Sequence, residues 1–408
     1  MKVWIKLLLG VIVGLGISFA LPLGSVPALA WLSKFAINIG RYTVAPILVF
    51  SLTISVYKLR QDDIFWSMML KNIIAIICMS LLIIAVGIVV TLTYSPARIP
   101  IEMAEQIETI SLNPAQSIME LFPANMLSVL SGDGIYLLPL CVFAFFLGIG
   151  LNYDRNFTKP VISMIDSLSR VFYHIASFFT EILGFILIVL VSYWAIRFGP
   201  VWRNKVYHDL IIMLGVMSIV FCFGVLPLFL YFVKPRVNPW KVFYGFIGPA
   251  ITAFFSGDII FSFPVLLRHL KENFGVQRRS SALSLGLCTA FCRGGSGMVA
   301  AAAFIVIIKS YTYIQITTSS ALLIGIYCLG ISFILARRPG DGAFAALSVL
   351  CMSYGGGEYR AGFLILQPIA FYLITIGVFI DIMLSAFCSY IVAKANGLVE
   401  EKNLVHFI

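Results

Sequence analysis

The sequence predicts an all-α polytopic membrane protein. Two observations indicate this fold class: the amino-acid composition and the long uncharged apolar runs. Of the 408 residues, 61% are hydrophobic and 11% are charged, and the mean hydropathy is +1.01. A soluble domain carries about 25% charged residues, so a water-soluble fold is excluded. Six uncharged runs approach or exceed the roughly 20 residues that cross a hydrocarbon core. They are Leu7–Ser33, Asn72–Thr93, Gly134–Tyr153, Leu210–Val233, Ser310–Ala336 and Ala361–Ile380.

Up to residue 233 the sequence predicts ordinary spans, near residues 4–24, 35–57, 68–94, 134–153, 164–197 and 206–233. The first span follows Lys2 and Lys6 and has no cleavage site, so we interpret it as a retained helix rather than a secretory signal. A bend is predicted within Gln116–Leu130, at Pro123 and Asn125.

Basic residues cluster in alternate loops, which predicts a cytoplasmic N-terminus and a multi-pass protein of the plasma or inner membrane. An acidic cluster, Glu102, Glu105 and Glu108, falls on the outer side of this topology. Lys34, Arg41, Arg203 and Lys205 depart from the rule. The net charge of +10 is explained by the loops, and we expect the lipid bilayer, not a nucleic acid, as partner.

After residue 240 the apolar segments become half-length and are parted by glycine, proline and charge. The segments are Val242–Ser256, Ile259–Leu267, Ser280–Cys292, Gly294–Ile308, Ser319–Leu335 and Ala343–Ser353. A helix of 15 residues rises about 22 Å and ends inside a core of about 30 Å. Surface loops between ordinary helices are the alternative, but the pattern favours hairpin, broken helix and hairpin, whose paired breaks typify a transporter binding site.

Several charges lie at these breaks, where ionised groups pair or line polar cavities. Arg293 and Asp381 stand in long uncharged stretches, and Ser385 shares a helix face with Asp381. Asp381 is a candidate to coordinate a cation, to carry a proton or to pair with Arg293. Arg337, Arg338 and Asp341 either take part in the site or cap an exposed turn.

Glycines at the breaks suit unwound backbone, as at Gly294 in the broken helix. Freed carbonyl groups can bind a cation, and helix N-termini attract anionic groups. The run Gly355–Gly357 predicts a hinge or a simple turn. No metal-protease, nucleotide-binding or serine-hydrolase motif occurs in the sequence, so we do not expect an enzyme.

The chain resembles the dicarboxylate/amino acid:cation symporter family, that of the glutamate transporters. The first hairpin is similar in Ala253-Phe-Phe-Ser256, Pro264 and Gly275-Val276, and the second in Arg338-Pro-Gly-Asp-Gly342. Ser281–Cys292 resembles the start of the broken seventh helix, and Ile391-Val-Ala-Lys394 the end of the eighth. Val44–Ser51, Phe122–Asn125 and Gly148–Gly150 resemble the second and fourth helices.

This resemblance implies an inverted-repeat transporter fold of eight transmembrane helices and two re-entrant helical hairpins, assembled as a homotrimer. It implies scaffold helices in residues 1–60 and 113–200. A moving transport domain would comprise the third helix and outer loop, residues 61–112, and the core, residues 201–408. The implied function is symport of a small anionic solute, a dicarboxylate or an amino acid, with sodium or a proton and no other cofactor, by an elevator-type movement.

The resemblance also assigns the candidate residues. The substrate-binding positions are Ser256, Gly257, Asp258, Arg293, Gly294, Arg337, Arg338, Pro339 and Gly340. The cation-binding positions are Ser80, Cys292, Asp381 and Ser385. We expect Arg293, with Arg337 or Arg338, to neutralise the solute carboxylate, and Asp258 or Asp381 to bind the coupling cation or proton.

The chain departs from the family where specificity is decided. Ala290–Gly294 replaces the family's NMDGT motif, and Ile374 and Gly377 occupy the positions that bind the substrate amine and side chain. Two alternatives therefore stay open. One is a proton-coupled carrier of an unlike substrate. The other is a non-transporting or anion-conducting relative in which Arg293, Arg337 and Arg338 simply pair with Asp258, Asp341 and Asp381.

Overall fold

The protein is helical throughout the part described by the computed structural model, which covers residues 2–100, 114–153, 155–233, 238–312, 316–400, 402 and 407. The predicted acidic cluster, Glu102, Glu105 and Glu108, lies outside the described residues, as does the predicted domain boundary at 112–113. The remaining candidate residues are all described.

Sixteen α-helices follow one another along the described residues. They are α1 (Val3–Ala20), α2 (Val26–Arg41), α3 (Val44–Gln61), α4 (Phe65–Tyr94), α5 (Pro114–Met119), α6 (Leu138–Gly150), α7 (Arg155–Arg203), α8 (His208–Val220), α9 (Leu226–Val233), α10 (Pro239–Ser256), α11 (Ile259–Glu272), α12 (Arg278–Phe291), α13 (Gly294–Tyr311), α14 (Thr318–Ile334), α15 (Gly342–Ser353) and α16 (Ala370–Ala395).

Eight described helical stretches are long and apolar enough to cross a membrane, which confirms the predicted fold class. They are Val3–Ala20, Val26–Gln61, Phe65–Tyr94, Phe157–Arg203, Lys205–Leu230, Arg278–Tyr311, Thr318–Arg337 and Gly362–Ala395. The predicted span at 134–153 is a shorter helix, Leu138–Gly150, while the first arm of the second hairpin, predicted as Ser319–Leu335, is α14, Thr318–Ile334, of the same length.

The run Leu7–Ser33 is two helices rather than one continuous span. The first ends at Ala20 and the second begins at Val26, with Pro22 between them and Pro27 in the first turn of α2. Proline has no amide hydrogen, so it interrupts a helix but is tolerated where a helix begins. The predicted span near 4–24 corresponds to α1, but the predicted span near 35–57 joins the end of α2 to α3, so the separate helix α2 was missed.

The three predicted breaks after residue 240 are confirmed. The first hairpin is α10 and α11, the broken helix is α12 and α13, and the second hairpin is α14 and α15. The bend predicted within Gln116–Leu130 is also present, and Asn125 caps the short 3₁₀ helix Met126–Ser131 by accepting from the nitrogen of Leu127 at 3.0 Å.

Packing divides most of the helices into two groups, which meet where α3 lies against α12. The first group contains α1, α2, α3, α6 and α7, and the second contains α4 and α10 to α16. Helix α1 lies along α7, and α3 packs against α6 and α7. Helix α4 packs instead against α13 and α16, which form the centre of the second group. Residues 294–308 of α13 are buried without exception, so the uniform hydrophobicity of this helix reflects contact with other helices on every side.

Candidate functional site

The tips of the two hairpins meet at the centre of the second group. The main-chain nitrogen of Ile259, which begins α11, donates to the carbonyl oxygen of Pro339 at 3.3 Å. A Cβ atom added at Gly340 would lie 3.0 Å from Asp258 Oδ2 and 3.4 Å from Arg41 Nη2. Glycine is therefore the residue that allows the second tip to approach the first this closely.

The tip of the first hairpin is shaped by Gly257 and Asp258. Gly257 ends α10 in the left-handed conformation, with φ +61°, and its nitrogen donates to the oxygen of Ala253 at 3.0 Å. Asp258 then caps α11 by accepting from the nitrogen of Phe261 at 2.7 Å. The buried carboxylate of Asp258 also pairs with Arg41 at the end of α2, so the tip is held by a cation from the first group of helices.

Arg293 stands at the break between α12 and α13 and is completely buried. Its Nη2 donates to the carbonyl oxygen of Arg338 in the second hairpin at 2.9 Å, and its Nη1 lies 3.5 Å from Asp381 Oδ2. Its Nε and Nη1 have no hydrogen-bond acceptor among the described residues. A buried N–H group without an acceptor is costly, so this guanidinium is incompletely satisfied.

Asp381 lies on α16 opposite the first turn of α13. Its Oδ1 accepts from the nitrogen of Ser296 at 3.1 Å and its Oδ2 from the hydroxyl of Ser296 at 2.6 Å. The hydroxyl of Ser385, one turn further along α16, donates to the main-chain carbonyl oxygen of Asp381 at 2.7 Å rather than to its carboxylate.

The other predicted cation-site residues surround the same break. Ser80 of α4 lies against Gly294, where an added Cβ would be 2.6 Å from the Ser80 Cα, and its buried hydroxyl has no partner among the described residues. Cys292 is buried beside Cys288 and Cys388, with which its thiol interacts.

The tip of the second hairpin carries two half-buried ion pairs. Arg337 Nη1 lies 2.7 Å from Glu120 Oε2, beyond α5, and Arg338 Nη1 lies 3.1 Å from Asp341 Oδ2. Arg337 thus links the second hairpin to the segment before α6. The pairing proposed for a non-transporting relative holds for Arg293 with Asp381 and Arg338 with Asp341. It fails for Asp258, whose partner is Arg41, and for Arg337, whose partner is Glu120.

The joined tips separate two cavities, and Gly340 lines both. The larger, about 620 Å³, is open and is lined by Arg41, Arg337, Arg338, Asp133 and Asp341 among others. The smaller, about 160 Å³, lies between the two groups of helices. The two groups meet there through Arg197 and Trp194 of α7 on one side and Ser256, Gly257 and Thr375 on the other.

Three helices begin at this junction. The N-termini of α11 and α15 adjoin through the contact of Asp258 with Gly340, and an added Cβ at Gly342 would lie 3.3 Å from Ser296 Oγ in the first turn of α13. Helix N-termini carry partial positive charge and free amide groups. Together with Arg293, the junction is suited to an anionic group.

Four residues at this site were missed or left without a role by the sequence analysis: Arg41, Glu120, Arg197 and Ser296. Arg41 stood out in sequence only as an exception to the charge pattern, and Arg197 only as an isolated charge near the end of an apolar run. For Glu120 and Ser296 no pattern in the sequence distinguishes them from other loop carboxylates and helix serines.

Comparison with known protein families supplies the identification. Residues 2–395 match the sodium:dicarboxylate symporter family, which is nearly the whole chain. The chain belongs to this family. The match confirms the predicted resemblance. A search of curated proteins finds no significant match.

Membership of the sodium:dicarboxylate symporter family has direct consequences. Family members are transporters rather than enzymes, and membership implies cation-coupled symport of dicarboxylates or amino acids. The chain is accordingly a multi-pass membrane protein. Its hairpins and broken helix are the places where such a fold exposes backbone to a solute.

Proposed function

We propose that the protein is a secondary active transporter that moves a small anionic solute, such as a dicarboxylate or an amino acid, in symport with a cation by an elevator-type movement. Arg293 is the observation that carries this proposal. It is a completely buried cation with two unsatisfied N–H-bearing nitrogens, directly under the second hairpin.

A solute carboxylate supplies the acceptors that Arg293 lacks. In the present arrangement the second hairpin offers it only the carbonyl oxygen of Arg338. Lifting the hairpin removes this acceptor and opens the guanidinium to a solute, whose two oxygens suit the fork of N–H groups. The adjoining helix N-termini add partial positive charge on the same side.

The second hairpin has the features of a gate. Gly355 and Gly356, directly after α15, have φ values of +62° and +70°, which glycine adopts at little cost. Among the described residues, three polar contacts join the tip to its surroundings: the hydrogen bond from Ile259 to Pro339, the one from Arg293 to Arg338, and the pair of Arg337 with Glu120.

The elevator movement is supported by the division into two groups of helices. In the proposed assignment, the scaffold contains residues 1–60 and 113–200, and the transport domain contains residues 61–112 and 201–408. The packing of α4 against α13 and α16 favours placing the third span in the transport domain. The 160 Å³ cavity lies between the two, where Arg197 of the scaffold faces Ser256 of the first hairpin tip.

Among the residues proposed for the solute, Ser256, Gly257 and Gly340 line the smaller cavity. Arg337, Arg338, Pro339 and Gly340 line the larger one. Arg293 and Gly294 lie beneath the tips, where lifting of the second hairpin would uncover them. Asp258 is engaged by Arg41, so its role in the proposal is to hold the tip.

The proposal places the homotrimer in the plasma or inner membrane with the N-terminus in the cytoplasm. The orientation is supported by basic residues of the N-terminus and of the loops predicted to lie inside, which meet in pairs at shared carboxylates. Lys58 and Arg278 share Asp166, at 3.0 and 2.6 Å, and Lys6 and Arg268 share Glu181. Light scattering of the purified protein tests the trimer, and protease accessibility of an N-terminal tag in sealed vesicles tests the orientation.

Uptake into proteoliposomes tests transport. Dicarboxylates and amino acids are offered with sodium and proton gradients set separately, and counterflow is measured for each solute. We expect saturable counterflow of at least one carboxylate. Its absence for every solute, in protein shown to be folded, would overturn the proposal in favour of a non-transporting relative.

Two substitutions on α7 locate the solute path. Arg197→Gln removes the cation that lines the smaller cavity, and we expect a several-fold rise in the KM for an anionic solute. Arg203→Gln is the matched control, because Arg203 lies on the same helix and is exposed, as Arg197 is, but lines neither cavity. Equal kinetics in the two variants would remove Arg197 from the path.

A further inference from the structure

We infer that Arg293 is a built-in counter-cation that takes the place of a sodium ion at Asp381. The family's name leads one to expect a sodium ion near a buried carboxylate, and in this chain a guanidinium already neutralises that carboxylate. The inference concerns the coupling ion, and it rests on the proposed function only for its consequence, that a sodium gradient does not drive transport.

Buried negative charge is the first argument. Among the described residues, two carboxylates are buried, those of Asp258 and Asp381. Each is paired with an arginine, Arg41 in the first case and Arg293 in the second. No buried carboxylate in the described part of the chain therefore keeps an uncompensated charge that would attract a cation out of water.

The coordination of Asp381 is the second argument. Both of its carboxylate oxygens accept hydrogen bonds from Ser296, at 3.1 and 2.6 Å, and Oδ2 also faces Arg293. The hydroxyl of Ser385 and the carbonyl oxygen of Asp381 are bonded to each other at 2.7 Å. Of the oxygens expected to coordinate an ion, those of Asp381 and Ser385 already take part in hydrogen bonds within the protein, and the hydroxyl of Ser80 does not.

Close packing around the break is the third argument. An added Cβ at Gly294 would lie 2.6 Å from Ser80 Cα, and one at Gly295 would lie 2.9 Å from the nitrogen of Asp381. An added Cβ at Gly377 would lie 2.9 Å from that of Ala343. The helices therefore touch backbone to backbone where an ion would need space.

Electrostatic repulsion prevents a sodium ion and the guanidinium of Arg293 from occupying the site beside Asp381 together. A sodium ion bound to Asp381 would stand beside the guanidinium of Arg293 in a completely buried region, where charges are poorly screened. The side chain of Arg293 cannot move into water unless the second hairpin lifts, because its Nη2 donates a hydrogen bond to the carbonyl oxygen of Arg338. The tethered cation is always present at the site, whereas a sodium ion must be taken up and desolvated.

Thermal unfolding of the purified protein tests the inference without requiring transport. The wild type is heated in detergent with increasing sodium chloride, and choline chloride at equal ionic strength is the control. We expect the same Tm in both salts. A saturable rise of Tm with sodium but not with choline would overturn the inference.

The variant Arg293→Gln tests whether the guanidinium is the reason that sodium does not stabilise the protein. It removes the tethered charge and leaves Asp381 in place, so we expect a lower Tm that rises saturably with sodium. If its Tm ignores sodium, Arg293 is not a substitute for the ion and the inference fails. Arg337→Gln is the matched control, since Arg337 is a half-buried arginine of the adjoining hairpin that pairs with Glu120 rather than with Asp381, and the Tm of this variant should not depend on sodium.

A double variant covers the case in which Arg293→Gln does not fold. Arg293→Gln with Asp381→Asn removes both charges, and we expect this double variant to fold and to have a Tm that does not depend on sodium. Sodium stabilisation of this variant would place the ion elsewhere and overturn the inference. Solute uptake measured with and without a sodium gradient separates the two proposals. Uptake that requires sodium would contradict the inference that Arg293 replaces the ion, but not the transport function. Absence of any uptake would contradict the transport function, but not the inference.

Discussion

The main-chain nitrogen of Ile259 donates to the carbonyl oxygen of Pro339, and this bond of 3.3 Å joins the tips of the two hairpins. The atoms belong to backbone, so the contact depends on how closely the tips approach rather than on the side chains there. The residues that permit the approach are small or are held by ion pairs, and this dependence leads to the first two predictions.

Gly340→Ala should impair closure of the second hairpin. The added Cβ would lie 3.0 Å from Asp258 Oδ2 and 3.4 Å from Arg41 Nη2, so the paired side chains or the tip must shift by a few tenths of an ångström. We expect a several-fold loss of solute flux. Gly330→Ala on α14 is the control, since no atom outside its own helix lies within 4 Å of an added Cβ there. Flux equal in the two variants would show that the tips tolerate this shift.

Asp258 has two functions that substitution can separate. Asp258→Asn keeps an oxygen to cap α11 and removes the charge that pairs with Arg41, whereas Asp258→Ala removes both. We expect Ala to destabilise the protein by about 1 kcal/mol more than Asn, which is the usual value of such a cap. Denaturation in detergent measures the difference, and identical stabilities would mean that the cap contributes nothing.

Arg293→Leu should strongly destabilise the protein, because it leaves Asp381 buried without a counter-ion. Removing one partner of a buried ion pair costs about 3–5 kcal/mol. Arg293→Leu with Asp381→Leu should recover much of this loss. Arg170→Gln, which breaks an exposed pair with Asp166, should cost about 1 kcal/mol or less. A double variant no more stable than Arg293→Leu alone would argue against the pairing as the cause.

The contact of α1 with α7 depends on two glycines. An added Cβ at Gly10 would collide with the carbonyl oxygen of Gly184, and one at Gly184 would lie 2.9 Å from the oxygen of Lys6. Gly10→Leu should therefore separate the helices and cost about 1–3 kcal/mol, the range for overpacking. The control is Gly16→Leu, where nothing lies within 4 Å. The Tm of each variant in detergent measures the cost, and a similar Tm in both would exclude close packing as the reason.

Much of the fold was predictable because its signals are local. Length and hydrophobicity predicted the spans, and glycine, proline and charge predicted the breaks at Gly257, at Arg293 and before Gly342. Helix α2 was missed as a separate element, because the predicted spans near 4–24 and 35–57 left its first half between them and joined its end to α3.

The partners of the charged residues were less predictable. Pairing of Arg293 with Asp381 was one of the open alternatives, since both charges stand alone in apolar segments. The partners of Asp258 and Arg337 were not predicted. They are Arg41 and Glu120, which lie more than two hundred residues away in the chain and come near only when the two groups of helices pack.

The sequence by itself therefore determined that this protein lies in the membrane, where the helices after residue 240 are broken and which of its charges must find a partner. Tertiary structure decided which partner each charge has, and that Asp381 faces an arginine rather than an open cavity. The reason is physical: helix ends follow from the conformational limits of neighbouring residues, whereas the compensation of a buried charge depends on which distant groups the packed helices bring within a few ångströms.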